Sequence, residues 1–285
     1  MHKKVMACLD HSSYSTSVCD YANWAARRLQ APLEFMHVLD HHQETAQKID
    51  LSGTIGLGAQ EDLLAELATL DGKRASIALD RGRLLLESAK ERALSAGIQD
   101  PKIRQRHGEL VEALAEIEED VRLFVLGKRG EAGERAPQHL GANLERVVRA
   151  LHRPILVVSA AFKSPEKIMV AFDGSMTTRK GVEMLASSPL FNATECHVVF
   201  VGTDSPASNS QLTWAERTLL GGGVKAKTTI IDGEPKNALP AYASANGIDL
   251  VVMGAYGHSR IRQLLVGSTT TAIIRTSNLP VLLLR

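Results

Sequence analysis

The sequence predicts an α/β protein built as two tandem doubly wound domains, each a five-stranded parallel sheet flanked by helices. Three observations carry that prediction. The chain reads twice, its apolar runs do not alternate with polar residues, and each copy closes on a proline that opens an apolar run.

The repeat comes first because it sets the domain count. "KKVMACLDHS" (3–12) returns as "EKIMVAFDGS" (166–175), and "LFVLGKRG" (123–130) returns as "LVVMGAYG" (250–257). "LGANLERVVRALHRPILVV" (140–158) returns as "VGSTTTAIIRTSNLPVLLL" (266–284), with Arg149 and Arg275 eight residues after the Gly and Pro154 and Pro280 thirteen after it. Three blocks in one order describe one unit used twice. The domains are expected at 1–160 and 165–285, joined near "AAFKSPEK".

The elements follow from periodicity. In the second copy the apolar runs "KIMVAF", "CHVVFVG", "KTTIID", "DLVVMG" and "PVLLLR" lack alternation, as strands buried on both faces do. Helical patterns separate them around 176–187, 207–220, 235–246 and 268–277. Pro154 and Pro280 stand where each final strand begins, a position that tolerates a missing N–H. The first copy differs between its second and third strands. Asp10 to Gly108 spans 98 residues against 60 from Asp173 to Gly233, about 38 more, including the amphipathic "LLAELATL" and "GRLLLESAKERAL".

Composition bounds the function. With 44% hydrophobic and 23% charged residues the chain has enough apolar surface for real cores. A net charge of +1 supplies no basic field for nucleic acid, and no stretch approaches the ~18 apolar residues of a membrane span. Three cysteines without metal-type spacing argue for a reducing compartment, so a soluble cytoplasmic protein is expected.

Ligands of doubly wound sheets sit at the carboxyl ends of the strands, where strand order switches. In the second half that edge gathers Asp173 and Gly174, Val201 and Gly202, and Met253 to Ser259. Gly254 and Gly257 let backbone N–H groups approach a polyphosphate without a Cβ in the way. Gly267-Ser268-Thr269-Thr270 then opens a helix, where free N–H donors, the helix dipole and hydroxyls converge on an anion. The spacing is neither a Walker A loop nor a Rossmann fingerprint. Taken singly, Ser268 reads as an N-cap and each glycine as a turn; the whole pattern G-x2-G-x9-G-S is more specific.

That pattern resembles the universal stress protein family in its tandem form, over essentially the whole chain. "VAFDGS" (170–175), "DLVVMGAYGHS" (249–259), "VGSTTTAIIR" (266–275) and "PVLLL" (280–284) carry the resemblance. It implies ATP binding, with Gly254, Gly257, Gly267 and Ser268 fitting the ATP-binding pattern without gap. It further implies adenine and ribose against Asp173, a backbone contact at Val201, Met253 flanking the nucleotide, and Thr269 and Thr270 extending the phosphate end. His258 lies beside the phosphate loop, as a neutraliser of charge or a cap of the loop. Mg²⁺ is expected with the triphosphate, with no dedicated carboxylate in evidence. The halves are expected to pair through 155–158 and 281–284, and a homodimer of whole chains is compatible with the resemblance.

The first half departs from the pattern. Ten residues separate Gly130 from Gly141, Ala142 replaces the Ser, and His11 replaces the Gly after Asp10. Lys128 and Arg129 could serve a phosphate but read as solvated loop charges. One competent site and one degenerate half are expected. "SGTIGLG" (52–58) reads as a loop before a helix, and "HVLDHH" (37–42) as a weak zinc candidate that strand geometry disfavours. No Ser-His-Asp order, nucleophile elbow or adenylation motif appears, so no catalytic residue is assigned. The leading expectation is an ATP-dependent stress-response regulator. A nucleotide-independent scaffold with vestigial pockets and a slow ATPase or autophosphorylating enzyme stand as alternatives.

Overall fold

The computed structural model describes residues 3–39, 57–131, 141–255 and 267–285. In the first half β1 (Lys4–Leu9), α1 (Ser15–Leu29), β2 (Leu33–Leu39), α2 (Leu57–Ser95), β3 (Lys102–His107), α3 (Leu110–Ala115), β4 (Val121–Gly127), α4 (Ala142–Ala150) and β5 (Ile155–Val158) follow one another. The second half repeats the theme. It runs β6 (Lys167–Ala171), α5 (Met176–Ser187), β7 (Glu195–Val201), α6 (Pro206–Gly221), β8 (Lys225–Ile231), α7 (Pro235–Asn246), β9 (Leu250–Gly254), α8 (Ser268–Thr276) and β10 (Val281–Leu284).

The strands form one sheet in the order β3-β2-β1-β4-β5-β10-β9-β6-β7-β8. Every pairing is parallel except the joint between halves, where β5 and β10 run antiparallel with Leu282 opposite Leu156. This is the pairing expected from the two proline-led runs. The prolines also do matching work: Phe124 N donates to Pro154 O and Val251 N to Pro280 O, both at 3.0 Å. Alternate residues of β5 and β10 feed two apolar layers. Leu156, Val158, Leu282 and Leu284 enter the layer under α1, α5 and α6. Ile155, Val157, Val281 and Leu283 enter the layer under α3, α4, α7 and α8. Both cores therefore run unbroken across the joint.

The first-half insertion is helical, as its amphipathic stretches predict. Both amphipathic stretches lie in a single helix of 39 residues, and the loop expected at 52–58 already turns helical at Leu57. Gly82, Leu86, Ala89 and Ala93 make its buried stripe, while Leu70 and Ile77 toward its start are exposed. A Cβ on Gly82 would fall 2.4 Å from Gln105 Nε2 and 2.5 Å from His37 Cδ2, so a larger residue there would have to displace those side chains. Among the described residues no helix is long and apolar enough to cross a membrane. The three cysteines carry free thiols, each pushed up to about 12, above all by burial.

Candidate functional site

In the second half β6 lies between β9 and β7, with β10 beyond one and β8 beyond the other. Strand order thus switches between β6 and β9, and the crevice at their carboxyl ends is the place for a ligand. Four pieces of chain meet around it.

The first follows β6. Asp173 Oδ1 accepts from Ser175 N at 3.0 Å and from Thr178 Oγ1 at 2.7 Å, which fixes the carboxylate over the start of α5. Ser175 caps that helix by accepting from Thr178 N. Gly174 has φ +73°, and a Cβ on it would sit 1.7 Å from Gln211 Oε1. Gln211 of α6 therefore lies directly on the Asp173–Ser175 turn, its Oε1 buried without a hydrogen-bond partner among the described residues.

The second piece is the end of β7. Val199 O accepts from Phe172 N at 2.9 Å. By strand alternation Val201 turns its N–H and C=O to the same side, beyond the last residue of β6. The family resemblance implies a backbone contact at Val201, and the strand offset leaves its N–H and C=O beyond the end of β6.

The third and fourth pieces bracket the glycine-rich loop. Met253 is buried in β9, against the α7–α8 layer. Gly254 ends the strand and its carbonyl accepts from Thr270 Oγ1 at 2.9 Å. Ala255 N donates to Leu284 O, and Gly267 N donates to Ala255 O at 3.2 Å. The two ends of the loop are thus stapled together. Gly257 and His258 lie outside the described residues.

Gly267 occupies the N-cap of α8 and Ser268 the first helical position, so Ser268 is not the cap that the residue alone suggests. The ladder begins with Thr271 N donating to Gly267 O at 2.8 Å. The N–H groups of Ser268, Thr269 and Thr270 precede it and, as the first of the helix, have no i−4 carbonyl within it to donate to. Ser268 is exposed and Thr269 half-buried, whereas Thr270 is buried with its hydroxyl committed to Gly254. Of the three hydroxyls only the first two remain for a ligand. No acidic residue lies in the first turn of α8.

The first half shows what the same frame becomes without these features. Asp10 Oδ1 accepts from Ser12 N, and Oδ2 accepts from Glu131 N at 3.1 Å, so the loop after β4 folds onto the carboxylate. A Cβ at Gly130 would stand 2.7 Å from that Oδ2. The first turn of α4 carries Glu145, at the position of Thr271. A carboxylate there takes up the helix-dipole field and repels phosphate.

Lys128 is not the solvated loop charge expected. It is buried, donates from Nζ to Ser277 O at 2.8 Å, and burial, helped by Arg129, lowers its pKa to about 8. The physical reason is the antiparallel joint, which brings the C-terminal end of α8 against the loop after β4. The zinc reading of "HVLDHH" loses its strand member, since His37 is buried with Nδ1 against Leu9 O at 2.9 Å; Asp40 to His42 lie outside the described residues. No cluster of potential metal ligands occurs among the described residues. Glu145, Gln211 and Thr178 were missed by sequence reasoning. Only Glu145 left a signal, as an acidic residue where the twin helix has Thr271.

The sheet order and the switch-point crevice define a tandem, doubly wound α/β protein. The chain belongs to the universal stress protein family, whose profile matches residues 1–159 and 203–285. The match includes Met253 to Thr270, while Asp173 and Val201 fall between the matched segments. The universal stress protein Slr1230 of Synechocystis is 36% identical over 286 residues, covering 99% of this chain and all of that protein. A universal stress protein structure from Archaeoglobus fulgidus superposes with a TM-score of 0.67 at 17% identity, covering 99% of this chain and 96% of that one. A Pseudomonas aeruginosa structure described as a putative universal stress protein reaches 0.61 at 15% identity, covering 99% and 93%. These likenesses carry the fold over both halves.

Proposed function

We propose that the chain works as two units, 1–160 and 165–285, of which the second binds an adenine nucleotide, ATP in the first instance, as a cytoplasmic nucleotide-dependent regulator. The observation that carries this is the contrast between the two helix starts. Both helices start on a glycine that makes no side-chain cap, but α8 adds an exposed Ser268 and no acid in its first turn, where α4 has Ala142 and Glu145. An anion gains from the first arrangement and is opposed by the second.

In this reading the adenosine lies against Asp173, the Val201 backbone and Met253. The phosphates lie on the Gly254–Gly257 loop and on Gly267, Ser268 and Thr269, with His258 beside them. Thr270 supports the site by tying α8 to Gly254. Mg²⁺ would enter with the triphosphate, held by its phosphates. The chain's own residues bind and orient, and no group is assigned to turnover.

Isothermal titration of wild type and of Gly267→Val/Ser268→Ala with ATP tests the site. The variant is expected to bind at least tenfold more weakly, about 1.4 kcal/mol. Equal affinity in both would overturn the assignment of the site, and no binding by wild type would favour a nucleotide-independent scaffold.

A further inference from the structure

Burial divides α2 into two parts. Gly82, Leu86, Ala89 and Ala93 are buried in its later turns, whereas none of residues 66–81 is buried. At 1.5 Å per residue that stretch runs for about 24 Å. A helix without a covered apolar face is only marginally stable in water.

Five of the eight exposed large apolar side chains among the described residues belong to α2. Leu70, Ile77 and Leu84 are 43%, 59% and 65% exposed and recur every seven residues, so they share one side of the helix. Leu67, Arg74 and Arg81 complete a seam with alternating spacings of four and three. The buried stripe from Gly82 to Ala93 keeps the same spacing at other heptad positions, so the seam is a second face.

The charges select what covers this seam. Asp71, Asp80 and Glu87 interleave with Lys73, Arg74, Arg81 and Arg83, which leaves no basic face of the kind that binds an anionic membrane. Asp71–Arg74 and Asp80–Arg83 pair along the helix at 3.4 and 3.5 Å, so Arg74 reaches the seam with its charge compensated. A parallel pair of such helices in register would set Arg74 against Arg74 and Arg81 against Arg81. An antiparallel pair avoids both.

We infer that α2 pairs antiparallel with α2 of a second copy of this chain, the two-fold axis falling between Arg74 and Ile77. Leu67 then layers with Leu84 of the second copy, Leu70 with its Arg81 and Ile77 with its Arg74. The arginine stems cover the apolar contacts while their guanidinium groups reach water. Beside the seam Lys73 faces Asp80 of the second copy, twice by symmetry. Glu66 and Glu87 face each other toward the ends, which keeps the association reversible.

Sedimentation equilibrium of the full chain at micromolar concentrations tests the pairing. Wild type should form a reversible dimer, and Ile77→Glu, a change at an exposed position, should weaken it about tenfold or more. Lys73→Asp and Asp80→Lys should each weaken association roughly three- to tenfold, because two attractive pairs become repulsive. Lys73→Asp/Asp80→Lys should recover it, since only the antiparallel register sets these positions against each other. A monomeric wild type overturns the inference, as does a dimer indifferent to Ile77→Glu. So does a double variant that stays as weak as the single ones. A monomeric chain that cosediments with phosphatidylglycerol vesicles through Ile77 would assign the seam to a membrane instead.

Discussion

Lys128 Nζ donates to the carbonyl of Ser277 at 2.8 Å, and Arg285 donates to the carbonyl of Leu151, the repeat counterpart of Ser277. Each half thus sends a cation to the C-terminal end of the other half's last helix, the end where the dipole is negative. The two cations come from different positions in the repeat, one after β4 and one after β10. The antiparallel joint is therefore fastened twice beyond its strand pairing.

The Lys128 contact gives a pH signature. Its folded-state pKa, about 8, lies below the ordinary 10.5. Between those values the unfolded chain keeps the proton that the folded chain has released, so stability rises with pH through that window. In Lys128→Met this component is absent. The melting temperature of wild type minus that of the variant should therefore grow from pH 8 to about pH 10.5. A difference that is flat, or that shrinks, removes burial as the dominant influence on this lysine.

Arg285→Ala should cost about 1 kcal/mol, because the guanidinium serves the Val148, Arg149 and Leu151 carbonyls at the end of α4. In a chain of this size that is a fall of about 2–4 °C in melting temperature by calorimetry. An unchanged melting temperature would show that water replaces the arginine without cost.

Gly174→Ala should destabilise by roughly 1–3 kcal/mol, since the residue combines φ +73° with a side chain 1.7 Å from a would-be Cβ. Adding Gln211→Ala removes the collision but not the backbone strain. The double variant should recover part of the loss in urea denaturation. Full additivity of the two single changes would mean that Gln211 does not press on the turn.

Thr271→Glu copies Glu145 of the degenerate half into α8. It should weaken ATP binding roughly three- to tenfold, with a smaller effect at high salt. Thr271→Gln, similar in size but uncharged, should stay near wild type. Equal losses in both would assign the effect to packing.

Much of this architecture is legible in the sequence. The runs in the second half and Pro154 and Pro280 announce the strands and the joint, because local periodicity and a missing N–H are properties of short segments. The helix at 235–246 lies where the pattern puts it, opening on Pro235 and closing at Gly247 in the left-handed region. The candidate site is legible as a set of positions but not as a set of partners. That Thr270 turns to Gly254, that Gln211 presses on Gly174, and that Lys128 crosses 149 residues to Ser277 depend on how helices settle on the sheet. The helix of the insertion was legible, but its unbroken length was not, for a related reason. Gly72 stands in open space and Gly82 fits against His37, so neither breaks a helix that tertiary packing supports.

Native mass spectrometry of gently purified protein, with ATP added stepwise, decides between one working half and two. One nucleotide per 285-residue chain is expected for wild type, and none for Gly267→Val/Ser268→Ala at the same concentrations. Two nucleotides per chain, or one retained by the variant, would contradict the division of labour between the halves.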